Sequence, residues 1–274
     1  MGAAPADAWI AAAACVDLRG PAEHAHDRPA GSVRLDVDDL LYKPYLLPPR
    51  HRSLVLVGGS AARIPLVARA LLAAGHPHVR HFPDPAWRQH LTVESGAPTR
   101  TRLWEPAEAL VEALQVQPMP HGARALDVAC GSGRNAVWLA LSGFEVVAVD
   151  ILPDALERTR DRAAHAGAAV ETRQMDVEFP GALDDMHADL VVVVRFLDRA
   201  LFGPLQRVVD PGGLLVYETF TVDQAELGHP RNPKHLLQPG ELAGAFPGLE
   251  TLVSREGFFD GAHLARLVAR APRG

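Results

Sequence analysis

The chain has 274 residues, 48% of them hydrophobic and 22% charged, enough for one large or two modest domains of a globular protein. No apolar run reaches membrane-spanning length, and two cysteines, Cys15 and Cys130, do not make a disulfide framework. A formal net charge of −6 without a Lys/Arg stripe argues against non-specific nucleic-acid binding, and the alanine-rich stretch 1–14 carries Asp7 but no basic residue, unlike a signal peptide. A reducing cytoplasm is the expected setting.

Residues 1–95 read as a separate α/β unit. An apolar run over 12–18 ends in Val16-Asp17-Leu18-Arg19 and is followed by Pro21-Ala22-Glu23-His24. Short strands are expected at 31–35, 54–57 and 79–82, with a helix over 67–74 that Gly75 closes. Trp87 follows the last of these strands. His76, His78 and His81 lie close together, but Pro77 and the loop context point to solvated histidines rather than a metal site. This order resembles a rhodanese domain. Asp17-x-Arg19 with Glu23 is similar to its opening motif, and strand 54–57 with the next loop and helix is similar to its active-site segment. The resemblance implies a cysteine directly after that strand, in a loop whose N–H groups lower its pKa. Gly58 stands there instead, in Gly58-Gly59-Ser60-Ala61-Ala62-Arg63. Ser60 is offset with no base near it in sequence, and Cys15 precedes the motif. The module is therefore expected to be silent as a sulfurtransferase, although its loop could still bind an anion.

Residues 96–121 read as a linker and an amphipathic helix over 101–114, with Leu103, Leu110, Val111 and Leu114 on one side and Pro118 and Pro120 ending it. From 122 onward strands and helices alternate, which predicts a doubly wound, mostly parallel sheet. Its first strand runs into Ala125-Leu126-Asp127-Val128-Ala129-Cys130-Gly131-Ser132-Gly133-Arg134-Asn135, and a helix pattern begins at Ala136. Glycines there admit positive φ and close approach of a ligand, and the helix end offers unpaired N–H groups. A second strand, 146–149, ends in Asp150, about 20 residues on, where an acid is placed to take two ribose hydroxyls. Gly131-x-Gly133-x-x-Ala136 fits a dinucleotide fingerprint loosely. Asp127 argues against that fingerprint, because the position lies in an apolar strand where a carboxylate is costly to bury.

The string Asp127-Val128-Ala129-Cys130-Gly131-Ser132-Gly133 resembles motif I of the class I S-adenosylmethionine (SAM) methyltransferases. Residues 122–220 are similar to small-molecule methyltransferases of the tellurite-resistance type, through Cys-Gly-Ser-Gly-Arg-Asn and the spacing to Asp150. The resemblance implies SAM as cofactor, bound by Asp127, Gly131, Ser132, Gly133, Asn135, Asp150, Ile151, Asp176, Val177 and Arg195. In it Asp127 serves the methionine end, Asp150 the ribose, Ile151 the adenine face and Asp176 the adenine amino group. Asp176 also reads as a loop-capping aspartate. Cys130 reads as a small buried residue rather than a nucleophile. Trp104 and Glu105 are either pocket residues or ordinary packing and solvent-facing groups.

The uniformly apolar stretch 189–194 predicts a strand covered on both faces. A helix over 201–209, a turn at Pro211-Gly212-Gly213 and a strand at 214–218 follow. The segment 218–241 is too long for a minimal connection and leaves the sheet edge where ligands bind, so it reads as a substrate-covering segment. Strands at 249–254 and 264–269 close the sheet, the last antiparallel by resemblance.

Methyl transfer from a sulfonium is an in-line displacement that needs alignment, and a base only when the acceptor is an alcohol or amine. Arg195 and His229 are the candidate catalytic residues, with Asp198, Glu218 and His235 also near the expected mouth. A guanidinium at 195 favours an anionic substrate or a carboxylate clamp, or else forms a salt bridge with a local acid. The expected activity is SAM-dependent methylation of a small molecule, with thiols and other chalcogen nucleophiles as one acceptor class. A sulfurtransferase and a non-catalytic SAM-binding or scaffold protein are the alternatives. No metal is expected.

Overall fold

The computed structural model describes residues 9–273. The stretch 1–8, more than half of the segment read as unlike a signal peptide, lies outside the described residues. The chain divides into two compact units, the first running through Glu105 and the second starting at Pro106.

The first unit contains β1 (Ala14–Asp17), α1 (Pro21–His26), β2 (Arg28–Pro29), β3 (Val33–Arg34), α2 (Val37–Tyr42), β4 (Leu54–Val57), α3 (Ile64–Ala73), β5 (Val79–Phe82) and β6 (Val93–Glu94). Four strands form a parallel sheet in the order β3-β1-β4-β5, and β2 pairs antiparallel with β6. The fully apolar β4 is central and buried along its length, as a strand covered on both faces requires. Val67 and Leu71 of α3 pack with Leu40 of α2, Leu54 and Leu56 on one face. Val55, Val57, Phe82 and Trp87 pack on the other. Leu103 also lies in this core, which corrects the reading of 101–114 as one helix.

The second unit contains α4 (Glu108–Val116), β7 (Arg124–Val128), α5 (Arg134–Leu141), β8 (Glu145–Asp150), α6 (Pro153–Ala166), β9 (Glu171–Gln174), β10 (Ala188–Val194), α7 (Phe202–Val208), β11 (Val209–Phe220), α8 (Gln224–Leu227), α9 (Glu241–Gly244), β12 (Glu250–Phe259) and β13 (Ala262–Arg270). Its seven-stranded sheet has the order β12-β13-β11-β10-β7-β8-β9. The strands from β7 to β11 run parallel, and β13 is antiparallel to both neighbours. Leu110 of α4 and Leu139 of α5 pack on Val146, Val192 and Val216 on one face. Leu205 of α7 and Leu242 of α9 pack on Val191, Leu215 and Leu267 on the other. The edge strand β9, Glu-Thr-Arg-Gln, is mostly exposed and charged, which discourages pairing with a further strand.

Three local expectations change. Helix α4 starts at Glu108 because Ala107 is extended and its N–H donates to Asn135 Oδ1 at 2.9 Å, fixing the entry. Pro211-Gly212-Gly213 is not a turn ahead of a strand but a bulge inside β11, where the register with β10 shifts between Ala188 and Leu190. A Cβ at Gly213 would lie 2.7 Å from the Asp189 carbonyl oxygen, so the close strand approach excludes a side chain there. His76 is buried rather than solvated, with Nδ1 at 2.8 Å from the Arg52 carbonyl oxygen, and His81 Nε2 lies 2.8 Å from the Gly58 carbonyl oxygen. His78 is exposed and stacks on Trp9.

Candidate cofactor site and the arginine cluster beside it

The parallel strands aim their C-terminal ends at one edge of the second unit's sheet, and a topological switch point lies where β7 has β10 on one side and β8 on the other. At this edge β7 breaks sharply. Ala129, Gly131 and Gly133 all have positive φ (54°, 57° and 72°), and Gly133 is the residue before α5. Such a conformation is uncommon for alanine and inexpensive for glycine. The loop is clamped from α6: Thr159 Oγ1 donates to the Gly131 carbonyl at 3.1 Å, and Arg162 Nη1 donates to the Ser132 carbonyl at 2.7 Å. The clamp explains Gly133, whose Cβ would meet the Thr159 side chain at 2.4–2.8 Å. A Cβ at Gly131 would meet nothing within 4 Å, so bare backbone there faces open space.

Two carboxylates border this loop. Asp127 is buried, its Oδ2 accepting the Ala136 N–H at 3.0 Å, so it caps the first turn of α5. Burial pushes its carboxyl up to about 7, against the pull of the Ala136 N–H and Arg134. Asp150 ends β8, with Oδ2 accepting the Gly131 N–H at 2.8 Å and Oδ1 the Leu152 N–H at 3.0 Å. Each carboxylate oxygen has two acceptor sites, so both retain capacity for hydroxyl donors. An acid at the second strand end, a buried acid under the first, and glycine backbone with room above it fit the donor needs of SAM's ribose and methionine ends. The residues present therefore suit the cofactor.

The other expected cofactor residues are placed unequally. Ile151 is exposed beside Asp150, and Val177 is buried. Asp176 is exposed and its Oδ1 accepts the Glu178 N–H at 3.0 Å, the loop-capping arrangement. Asn135 is buried with its amide oxygen committed to Ala107, so its first task is to anchor the chain ahead of α4. Cys130 is half-buried near Thr159 rather than fully buried as expected, and desolvation pushes its thiol far up, consistent with packing rather than nucleophilic use. Trp104 and Glu105 belong to the first unit, where Arg102 lies over the Trp104 ring and Arg100 pairs with Glu105.

Arg195 follows β10 with φ of 62°, its N–H donating to the Glu218 carbonyl at 2.7 Å. Its Nε lies 3.4 Å from Glu218 Oε1, and its guanidinium sits over the Phe220 ring. Glu218 is 1% exposed and also accepts from Arg266 Nε at 2.7 Å through Oε2. Of the residues proposed near the mouth, Arg195 and Glu218 are thus brought together, while His229 stands exposed and is held through its carbonyl by Gln224 Nε2 at 3.1 Å. Sequence reasoning missed Arg266. It is paired directly with Glu218 in the β11–β13 register, and the available signal was a single charge inside the apolar run Leu264-Ala265-Arg266-Leu267-Val268.

A family model described as "Methyltransferase domain" matches residues 125–213, from β7 into β11. An uncharacterized protein of Schizosaccharomyces pombe is 27% identical, with 84% of this chain and 83% of that protein covered, so the similarity extends into the first unit. A ribosomal protein L11 methyltransferase of Pseudomonas aeruginosa is 37% identical over 113 residues, covering 38% of this chain and 36% of its own. Here the chain spans only about a third of the relative's length. The crystal structure of TehB from Haemophilus influenzae has the same fold, at a TM-score of 0.50 and 18% identity, with 60% of this chain and 62% of that chain covered. With the family match over 125–213 and the shared fold, the second unit is a SAM-dependent methyltransferase domain whose cofactor is S-adenosylmethionine.

Proposed function

We propose that the protein methylates a small-molecule acceptor, with a thiol or other chalcogen nucleophile as the favoured class. The observation that carries the reading is the open space over Gly131, whose N–H donates to Asp150, with Arg195 at the end of the next strand over. SAM, when bound, supplies an activated methyl group. The chain's own task is then alignment, and Arg195 adds a positive field that favours a nucleophile already in its anionic form. An anionic nucleophile needs no base, so His229 is not required at the reacting atom. The segment after β11 returns to the sheet through the Thr221–Leu237 bridge, and its exposed stretch from Arg231 to His235 would cover the acceptor.

We assign the first unit as an inactive rhodanese-like module. Its support is the parallel β3-β1-β4-β5 sheet, the Asp17–Arg19 ion pair at 2.8 Å and the glycine loop after β4. A Cβ at Gly58 would lie 2.4 Å from Arg19 Cγ, so the place of a rhodanese cysteine is filled by a buried arginine. That weighs against the sulfurtransferase alternative. The free cysteines Cys15 and Cys130 support a cytoplasmic setting. The match to a ribosomal protein L11 methyltransferase motivates a second reading, a protein acceptor.

The test is incubation of the full chain with methyl-labelled SAM and cell extract split into small-molecule, protein and RNA pools, with headspace trapped. Label in the small-molecule pool is expected, and volatile label identifies a chalcogen acceptor. Label confined to protein or RNA refutes the small-molecule reading. Tight SAM binding without label in any pool leaves a SAM-binding or scaffold role.

A further inference from the structure

The cluster at the ends of β10, β11 and β13 has more buried cation than buried anion. Glu218 shares its carboxylate between Arg266, at 2.7 Å, and Arg195, at 3.4 Å. Arg266 is 5% exposed and the Arg195 side chain 23% exposed, so two largely desolvated guanidinia answer to one carboxylate. The remaining acids offer less. Glu108, which accepts from Arg266 Nη1 at 3.0 Å, is 64% exposed, and Asp260, which attracts Arg195, is also exposed. Arg134 and Arg266 both repel Arg195. Arg266 Nη2 is buried and has no hydrogen-bond partner. Burying a guanidinium without full compensation is unfavourable, and an orphaned buried donor adds its own desolvation cost. Two aromatic faces, Phe220 under Arg195 and Phe259 under Arg266, frame the cluster.

We propose that this cluster is an oxyanion subsite for the methyl acceptor: Arg195 contacts a carboxylate or similar oxyanion on the acceptor, and Glu218 and Arg266 are positioning residues that hold the guanidinium. The inference rests on the methyl-transfer reading and narrows its substrate class. The acceptor is favoured over the cofactor as the source of the oxyanion because Asp127 and Asp150 lie on β7 and β8 and Gly131 in the loop after β7, whereas the cluster lies on β11, β13 and the end of β10. A planar fork against a carboxylate restores one anion to each buried cation.

The test uses the full chain saturated with S-adenosylhomocysteine and a charge series of probes, benzoate and butyrate against benzamide and butyramide, followed by ligand-observed NMR. Each carboxylate is expected to bind at least about tenfold more tightly than its amide, a preference lost in Arg195→Met and partly retained in Arg195→Lys. Carboxylates that bind no better than their amides, or a preference that survives Arg195→Met, would overturn the proposal. S-Adenosylhomocysteine affinity is measured in parallel. A tenfold or greater loss in Arg195→Met, with 5′-methylthioadenosine affinity unchanged, would assign the oxyanion to the cofactor and overturn the acceptor assignment. Absence of label from every pool marks failure of the methyl-transfer reading, while the probe series reads the subsite directly.

Discussion

Replacing Asp127 by asparagine tests whether the motif I acid is a buried, largely protonated cap. The folded chain holds its carboxyl near 7, whereas the ordinary value is 3.8, and burial is the main cause. Between those values the folded state retains a proton that the unfolded chain has released, so stability falls as pH rises through the window and is fully present only below it. At about 1.4 kcal/mol per pH unit, the interval amounts to about 4 kcal/mol. Asp127→Asn keeps an oxygen able to accept the Ala136 N–H and has no proton to lose. Urea unfolding of both proteins at intervals from about pH 4 to pH 8 should show the variant gaining on the parent by up to that amount toward the alkaline end. Parallel pH profiles would refute the reasoning, because they would mean that the carboxylate is ionised throughout and compensated by Ala136 and Arg134.

The two glycines of the loop should separate folding from binding. Gly131→Ala has only its φ to accommodate, about 1–2 kcal/mol by thermal melting, but fills the space over the backbone and should weaken S-adenosylhomocysteine binding. Gly133→Ala adds the collision with Thr159 and should cost about 1–3 kcal/mol more. Asp150→Ala should lower S-adenosylhomocysteine affinity at least about tenfold in calorimetry, since two hydroxyl partners are lost; retained affinity would sink the site assignment. Glu218→Gln leaves Arg195 and Arg266 without their shared carboxylate and should destabilise by about 3–5 kcal/mol in denaturant titration. Gly58→Cys should be destabilised and remain inert in cyanide-dependent thiocyanate formation, because its Cβ meets Arg19; thiocyanate turnover would revive the sulfurtransferase reading.

Much of the second unit was legible because its signals are local. Apolar runs marked β7, β8 and β10, glycines marked the left-handed turn between β7 and α5, and Asp127 and Asp150 stood at strand ends. Each depends on residues adjacent in sequence, where backbone sterics and periodicity act directly. The misreadings share the opposite property. Leu103 follows the helical spacing of 101–114, yet it packs with the core of the first unit, and α4 starts only where Asn135, 28 residues on, fixes Ala107. His76 looked solvated beside a proline, but a carbonyl at Arg52 receives its ring. Pro211-Gly212-Gly213 reads as a turn unless the proximity of Asp189 is known.

Sequence alone therefore determined the alternation of strand and helix and, through the resemblance of its glycine loop to motif I, the cofactor class, since both rest on residues close together in the chain. Tertiary structure decided the Glu218–Arg266–Arg195 cluster, the clamp of Thr159 and Arg162 on the glycine loop, and the packing of Arg19 into the space a side chain at Gly58 would need. These contacts join residues far apart along the chain, and the balance of charge and desolvation that gives them meaning exists only after the strands have paired and excluded water.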